Sequence, residues 1–215
     1  MANLIRRDDS LTLPIQYFGS VEYYAIMSAY RNVVIDDCIA FDKRFKSVHR
    51  TAIADTRGVL SLTVPIVKAS AGRRPLSWRD IAISDHGQWW HVVATSLASA
   101  YGRTPFFEYY IDRFKPFFSQ TTITSFRSIA ELDVALNRLI VDVLGLESNI
   151  TYASELADAT TPRCNLSAVE AISPEPYYQI RADKYGFIPN LSILDLIFNL
   201  GPESPLHLAR LTSKL

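Results

Sequence analysis

The stretch Tyr177–Pro205 reads Y-Y-Q-I-R-A-D-K-Y-G-F-I-P-N-L-S-I-L-D-L-I-F-N-L-G-P-E-S-P, and its second half decides how the fold must be built. Ser192 precedes an apolar run, Asp195 follows three residues later, and Gly201-Pro202 closes the run, which predicts a short helix with a capped start and a glycine stop. Ile193, Leu194, Leu196, Ile197, Phe198 and Leu200 leave almost no polar face, so this helix is expected in the core. Asp195 is its only charge. Its carboxylate has two readings: it satisfies N–H groups of the first turn and complements the helix dipole, or it is a site carboxylate held on a rigid element.

Around that helix lie 215 residues, 48% hydrophobic and 20% charged, an ordinary globular composition with ample material for a core. Lys plus Arg and Asp plus Glu are each 22, so the overall balance draws the chain to neither nucleic acid nor an anionic membrane. Cys38 and Cys164 are too few for a disulfide framework and lie in no CxxC pair, which predicts two free thiols in a reducing compartment. The N-terminus reaches charge before an apolar core develops, and no apolar stretch approaches a membrane span, so a cytoplasmic location is expected.

Earlier in the chain, Pro14 prevents a central strand from running straight through Leu11 to Phe18. Ser20 to Tyr30 has helical apolar spacing and predicts an amphipathic helix, and Val33 to Ile35 predicts a buried strand ending in Asp36-Asp37. The clearest strand is Gly58 to Ile66, paired antiparallel with the run before it through Asp55 to Gly58. Lys68 to Ser77 reads as a polar, mobile connection carrying Arg73 and Arg74, and Ile81 to Ile83 as a further strand. Asp85 and Gln88 have capping-box spacing before a helix reaching Tyr101, with Val92 among its buried positions. Thr104-Pro105 restarts a helix through an aromatic patch, and Ser128 with Glu131 opens the longest helix, ending at Gly145. Residues 146–176 read as an irregular crossover. The fold expected is mixed α+β in one domain over 1–215: mainly antiparallel strands of the N-terminal half packed against helices of the C-terminal half.

Phe41 to Arg50 (F-D-K-R-F-K-S-V-H-R) concentrates positive charge among aromatics. Lys43, Arg44, Lys46, His49 and Arg50 could hold a phosphate or carboxylate, or could simply decorate a solvated edge strand. Motifs for strong phosphate-fold chemistry are missing: no glycine-rich phosphate loop, dinucleotide fingerprint or nucleophile elbow occurs. The four histidines show no HxH or HxxxH spacing, so neither a metal nor a cofactor is expected. A cysteine nucleophile is the remaining catalytic alternative.

Several segments together carry a resemblance. L-P-I-Q-Y-F at Leu13 to Phe18, the Asp36 to Arg50 region, L-S-L-T-V-P-I at Leu60 to Ile66, S-A-Y-G-R-T-P-F-F-E-Y-Y at Ser99 to Tyr110 and F-I-P-N-L-S-I-L-D-L-I-F-N-L-G at Phe187 to Gly201, with Tyr177-Tyr178-Gln179 upstream, are similar to the WbqC-like proteins of bacteria. Asp37, Phe41 and Lys43 fit the family's Asp, aromatic, Lys spacing, while His49-Arg50 stands, displaced by one residue, where the family has Asn-Arg. The resemblance implies an association with bacterial surface polysaccharide, notably O-antigen gene sets. It suits acyl or aminoacyl group transfer onto a nucleotide-activated amino sugar. The physical motive is a cationic segment beside carboxylates: the candidate site has Asp37, as general base, and Asp195 as catalytic carboxylates, with Lys43 and Arg50 holding the anion, provided the fold brings them together, and His49, Gln16 and Gln179 also binding a nucleotide sugar or other anionic small molecule. The alternative is a non-catalytic assembly protein that binds polysaccharide-biosynthesis enzymes through its tyrosine-rich face or the Lys68 to Ser77 connection.

Overall fold

A computed structural model of the chain describes residues 7–67, 76–156 and 164–213. Most of the Lys68 to Ser77 connection, including Arg73 and Arg74, therefore lies outside the described residues. The first strand, β1 (Arg7–Pro14), is followed by helix α1 (Val21–Ser28) and strand β2 (Tyr30–Asp36), and the two strands pair in parallel. Proline has no N–H to give a ladder, and Pro14 accordingly ends β1, a strand at the sheet edge; Ile15 resumes the hydrogen bonding by donating to the Asp36 carbonyl at 3.1 Å. The connecting helix is not amphipathic: every residue from Val21 to Met27 is buried, and the Ser20 hydroxyl caps it by accepting from Tyr23 N–H.

Strands β3 (Arg50–Asp55) and β4 (Gly58–Thr63) form the expected antiparallel hairpin, with Ile53 opposite Leu60 and Thr51 opposite Leu62. The helical part follows with α2 (Trp89–Tyr101), α3 (Phe107–Phe114), α4 (Gln120–Ile123) and α5 (Ile129–Leu144). Strand β5 (Asn149–Tyr152) then returns to pair parallel with β2, giving the order β1-β2-β5. Four further helices complete the described chain: α6 (Leu166–Glu170), α7 (Ala182–Tyr185), α8 (Ile193–Leu200) and α9 (Ser204–Thr212).

The α/β mixture is as expected, but the strand arrangement is not mainly antiparallel. Among the described strands the larger sheet is parallel and the two-stranded hairpin antiparallel, and β5 comes from the span read as irregular. Parallel partners need a crossover of a dozen or more residues, so local spacing does not reveal them. Ile81 to Ile83 is no strand; Ile83 makes one isolated bridge to Ile66 after a 3₁₀ turn at Trp78–Asp80. Asp85 makes no capping bond. α2 starts at Trp89 after Gln88 adopts a left-handed conformation, and Val92 is 58% exposed. Thr104 turns its hydroxyl to the Tyr101 carbonyl, and α3 begins only at Phe107.

α8 sits where its composition requires. Ile193 through Asn199 are all buried, and each large apolar side chain contributes about 2 kcal/mol by leaving water. Gly201 ends it at φ 53°, and a Cβ there would lie 2.4 Å from the Phe106 ring, so only glycine fits.

Candidate functional site

Chain leaving β1 enters a cleft of about 330 Å³ at the carboxyl edge of the parallel sheet, built from Gln16 to Ser20, Lys46-Ser47, Arg50 to Ala52, Ser61 of β4, and Asn190 with Ser192. Backbone hydrogen bonds weld them together. Tyr17 N–H donates to Ser47 at 2.9 Å, Ser192 N–H to Ala52 at 2.7 Å, and Ile193 N–H to Gly19 at 2.9 Å. The Phe18 carbonyl accepts from the Thr51 hydroxyl at 2.8 Å and from the Ser192 hydroxyl at 3.2 Å. Phe18 (φ 44°) and Asn190 (φ 57°) are both left-handed, a conformation costing roughly 1–2 kcal/mol for a residue with a Cβ. Asn190 N–H is fixed at 3.1 Å by the buried carboxylate of Glu22. Such strain persists only where surrounding bonds over-determine it, and it clusters at functional sites.

Two exposed cations line the cleft, Lys46 and Arg50, and neither has an ion-pair partner among the described residues. Arg50 is held as the first residue of β3, opposite Thr63. The 42–49 segment is not an edge strand but a loop with a 3₁₀ turn at Lys46–Val48, which brings Lys46 beside the start of β3. Half-buried Gln16 adds an amide. Its Oε1 lies 3.2 Å from where a Cβ on Gly19 would stand. Two unpaired cations, amide groups and hydroxyls in one concavity make a surface suited to an anion carrying polar substituents.

The remaining expected residues lie elsewhere. Lys43 is exposed and does not line the cleft. His49 stacks on Trp78 with centroids 5.8 Å apart, and its Nδ1 lies 3.3 Å from the Val64 carbonyl. Burial, with help from Arg50 and Lys46, holds its pKa below the ordinary histidine value.

Asp37 is fully buried at the end of β2. Arg79 pairs with it, and Ser154, following β5, donates its N–H at 2.9 Å and its hydroxyl at 2.6 Å. This carboxylate is structurally engaged and does not line the cleft. Sequence reading missed Arg79 and Ser154 because both come from elements distant in the chain.

Asp195 is 1% exposed and does not cap its helix; the Ser192 hydroxyl does that, accepting from Leu194 N–H. The Asp195 carboxylate instead accepts the Tyr177 hydroxyl at 2.6 Å. Burial raises its pKa above the usual carboxylate value, although hydrogen bonding by Tyr177, Tyr101 and Gln179 pulls the other way. Gln179 also clasps Ile188, donating to its carbonyl and accepting its N–H, both at 2.9 Å. Asp195 and Gln179 thus belong together in a buried cluster, while Gln16 and Arg50 meet in the cleft.

Neither thiol is activated. Burial first, then the neighbouring Asp37, raises Cys38, and burial with Asp36 pushes Cys164 up to about 12. Among the described residues no group of His, Cys, Asp and Glu is arranged to hold a metal, and no helix is long and apolar enough to cross a membrane.

Fold and site define a mixed α/β protein with a cationic cleft at the carboxyl edge of a short parallel sheet. The chain belongs to the WbqC-like protein family, whose sequence profile matches residues 15–173. The match ends before Tyr177, so Asn190 and Ser192 complete the cleft from outside the matched span. No curated protein matches the chain, and no solved structure does.

Proposed function

We propose that the cleft binds the diphosphate of a nucleotide-activated amino sugar, and that the protein transfers an acyl or aminoacyl group to that sugar in bacterial surface polysaccharide (O-antigen) biosynthesis. The observation that carries the binding step is the meeting of unpaired Lys46 and Arg50 with Gln16, Asn190 and Ser192 in one concavity. The transfer chemistry and pathway follow from what the family resemblance implies. In this reading Lys46 and Arg50 neutralise the diphosphate, and the Gln16 and Asn190 amides meet sugar hydroxyls. Asp37 and Asp195, which line no part of the cleft, hold its supporting elements in place.

A thermal-shift panel of nucleotide sugars, pyrophosphate and neutral sugars tests the reading. A nucleotide sugar at a hundred times its dissociation constant stabilises the native state by about 2.7 kcal/mol. Stabilisation by nucleotide sugar and pyrophosphate but not by neutral sugar is expected. A blank panel from well-folded protein contradicts it.

A second reading, a partner-binding assembly role, is favoured by a groove of about 750 Å³ floored by Ala94, Ala98, Phe107, Ile111 and Phe118, with Tyr109 80% exposed on α3. Light scattering with enzymes of the same biosynthetic set, alone and mixed, separates the two: a strictly solitary chain argues against it.

A further inference from the structure

The chain before α8 changes character at one residue. From Arg181 to Asn190 no residue is buried, whereas from Leu191 to Asn199 every residue is, so a stretch with little burial to hold it adjoins the core. Gln179, itself 3% exposed, closes the base of this stretch through the two hydrogen bonds it exchanges with Ile188, and α7 lies at the tip. Gly186, at φ 70° and ψ −171°, turns the chain after α7 in a region that glycine alone enters readily. Left-handed Asn190 then leads it into the cleft.

Beyond its base the loop is fastened mainly by exposed contacts. The Thr56 carbonyl, in the turn between β3 and β4, accepts from Lys184 Nζ at 3.0 Å and from the Tyr185 hydroxyl at 2.7 Å. Arg181 Nη2 reaches the Ser99 carbonyl at 3.4 Å, and the Phe187 ring stands edge-on to Tyr177 with centroids 5.4 Å apart. Solvent-exposed hydrogen bonds of this kind add little net stability, which sets the loop at the easily opened end of the structure. The hairpin that carries this latch is also the cleft wall, for β3 supplies Arg50, Thr51 and Ala52 and β4 supplies Ser61. Thr56 lies about 13 Å of extended chain beyond Ala52, where Ser192 N–H joins the wall. One side of the loop is thus pinned to the hairpin turn, and the other ends at Asn190, whose N–H is held by Glu22.

We propose that residues 180–190 are a hinged strap of the cleft. Latched on Thr56, the strap holds Asn190 in the cleft wall; unlatched, it swings as one piece, carries Asn190 away and opens the cleft for ligand exchange. The Gln179 clasp keeps the swinging piece intact, and the buried Leu191 to Asn199 stretch stays fixed behind it. The identity of the ligand that passes rests on the nucleotide-sugar reading; the motion does not.

The test is amide hydrogen exchange, read by NMR on the full chain, in the natural protein and in a Lys184→Met, Tyr185→Phe double variant. In the natural protein the hydrogen-bonded amides of Lys184, Tyr185 and Gly186 and the Asn190 amide are expected to share one protection level, about a hundredfold or more below that of α8. In the variant all four are expected to exchange about tenfold or more faster, with α8 unchanged. An Asn190 amide that keeps its natural rate in the variant, or an α8 that accelerates with the strap, would overturn the proposal. Saturating pyrophosphate is expected to slow strap exchange and to dissociate about tenfold or more faster from the variant. Pyrophosphate that binds and leaves strap exchange unaltered would also overturn it. Pyrophosphate that does not bind contradicts the cleft reading instead, and the rates at Asn190 and α8 then decide the strap on their own.

Discussion

The Ser192 hydroxyl donates to the carbonyl of Phe18 at 3.2 Å while accepting from Leu194 N–H, so one side chain both starts the buried helix α8 and pins the left-handed residue in the cleft wall. Closing helix and cleft are therefore one mechanical unit. Ser192→Ala removes a cap and a buried donor together. The expected loss is about 1–2 kcal/mol of stability by urea denaturation, with weaker binding of pyrophosphate in the cleft. Lost stability with unaltered binding would separate the helix from the site.

Asp37 is buried against Arg79, so truncating the cation leaves an uncompensated charge. Arg79→Ala is expected to cost about 3 kcal/mol in denaturant melts. Adding Asp37→Leu to Arg79→Met is expected to recover much of that, because no charge then stays buried. A double variant less stable than Arg79→Ala would show that the hydrogen bonds from Ser154 carry more than the ion pair.

Asp133 on α5 is completely buried, and neither carboxylate oxygen has a hydrogen-bond partner among the described residues. The unfolded chain ionises this group near 3.8, whereas burial keeps it protonated in the native state well above that value. The native state then holds the extra proton, so stability falls as pH rises through the interval between the two values. Asp133→Asn lacks this dependence. Its stability relative to the natural protein should rise with pH above 3.8, by up to about 1.4 kcal/mol per pH unit, in denaturation series across pH. A constant difference would mean that Asp133 ionises alike in both states.

Cys164 offers a direct check on the cysteine-nucleophile alternative. With its pKa pushed up to about 12, its alkylation by iodoacetamide at neutral pH should be slower than that of free cysteine and should accelerate as pH rises. Rapid, pH-insensitive labelling would restore a thiolate role.

Much of the fold was legible where signals were local. The Ser192 to Gly201 helix, the Gly58 hairpin and the Ser128 to Gly145 helix carry cap, alternation or stripe within a few residues, and all three form. β5 was hidden because N-I-T-Y is short and half polar, and because its partner β2 lies more than a hundred residues earlier. The site divides in the same way. Gln16 and Arg50 could be picked out by residue type and resemblance, but their meeting with Asn190 and Ser192 depends on hydrogen bonds between distant segments. Lys46 was visible in the basic run. What singled it out over Lys43 was the 3₁₀ turn that carries it to the cleft.

The most direct measurement is calorimetric titration of UDP-N-acetylglucosamine into the natural protein and into Lys46→Ala, Arg50→Ala and Lys43→Ala. Losses of about tenfold or more are expected for Lys46→Ala and Arg50→Ala, with affinity unchanged for Lys43→Ala, whose side chain lies outside the cleft. Unchanged affinity in both cleft variants, or an equal loss in Lys43→Ala, would contradict the assignment of the cleft as the nucleotide-sugar site.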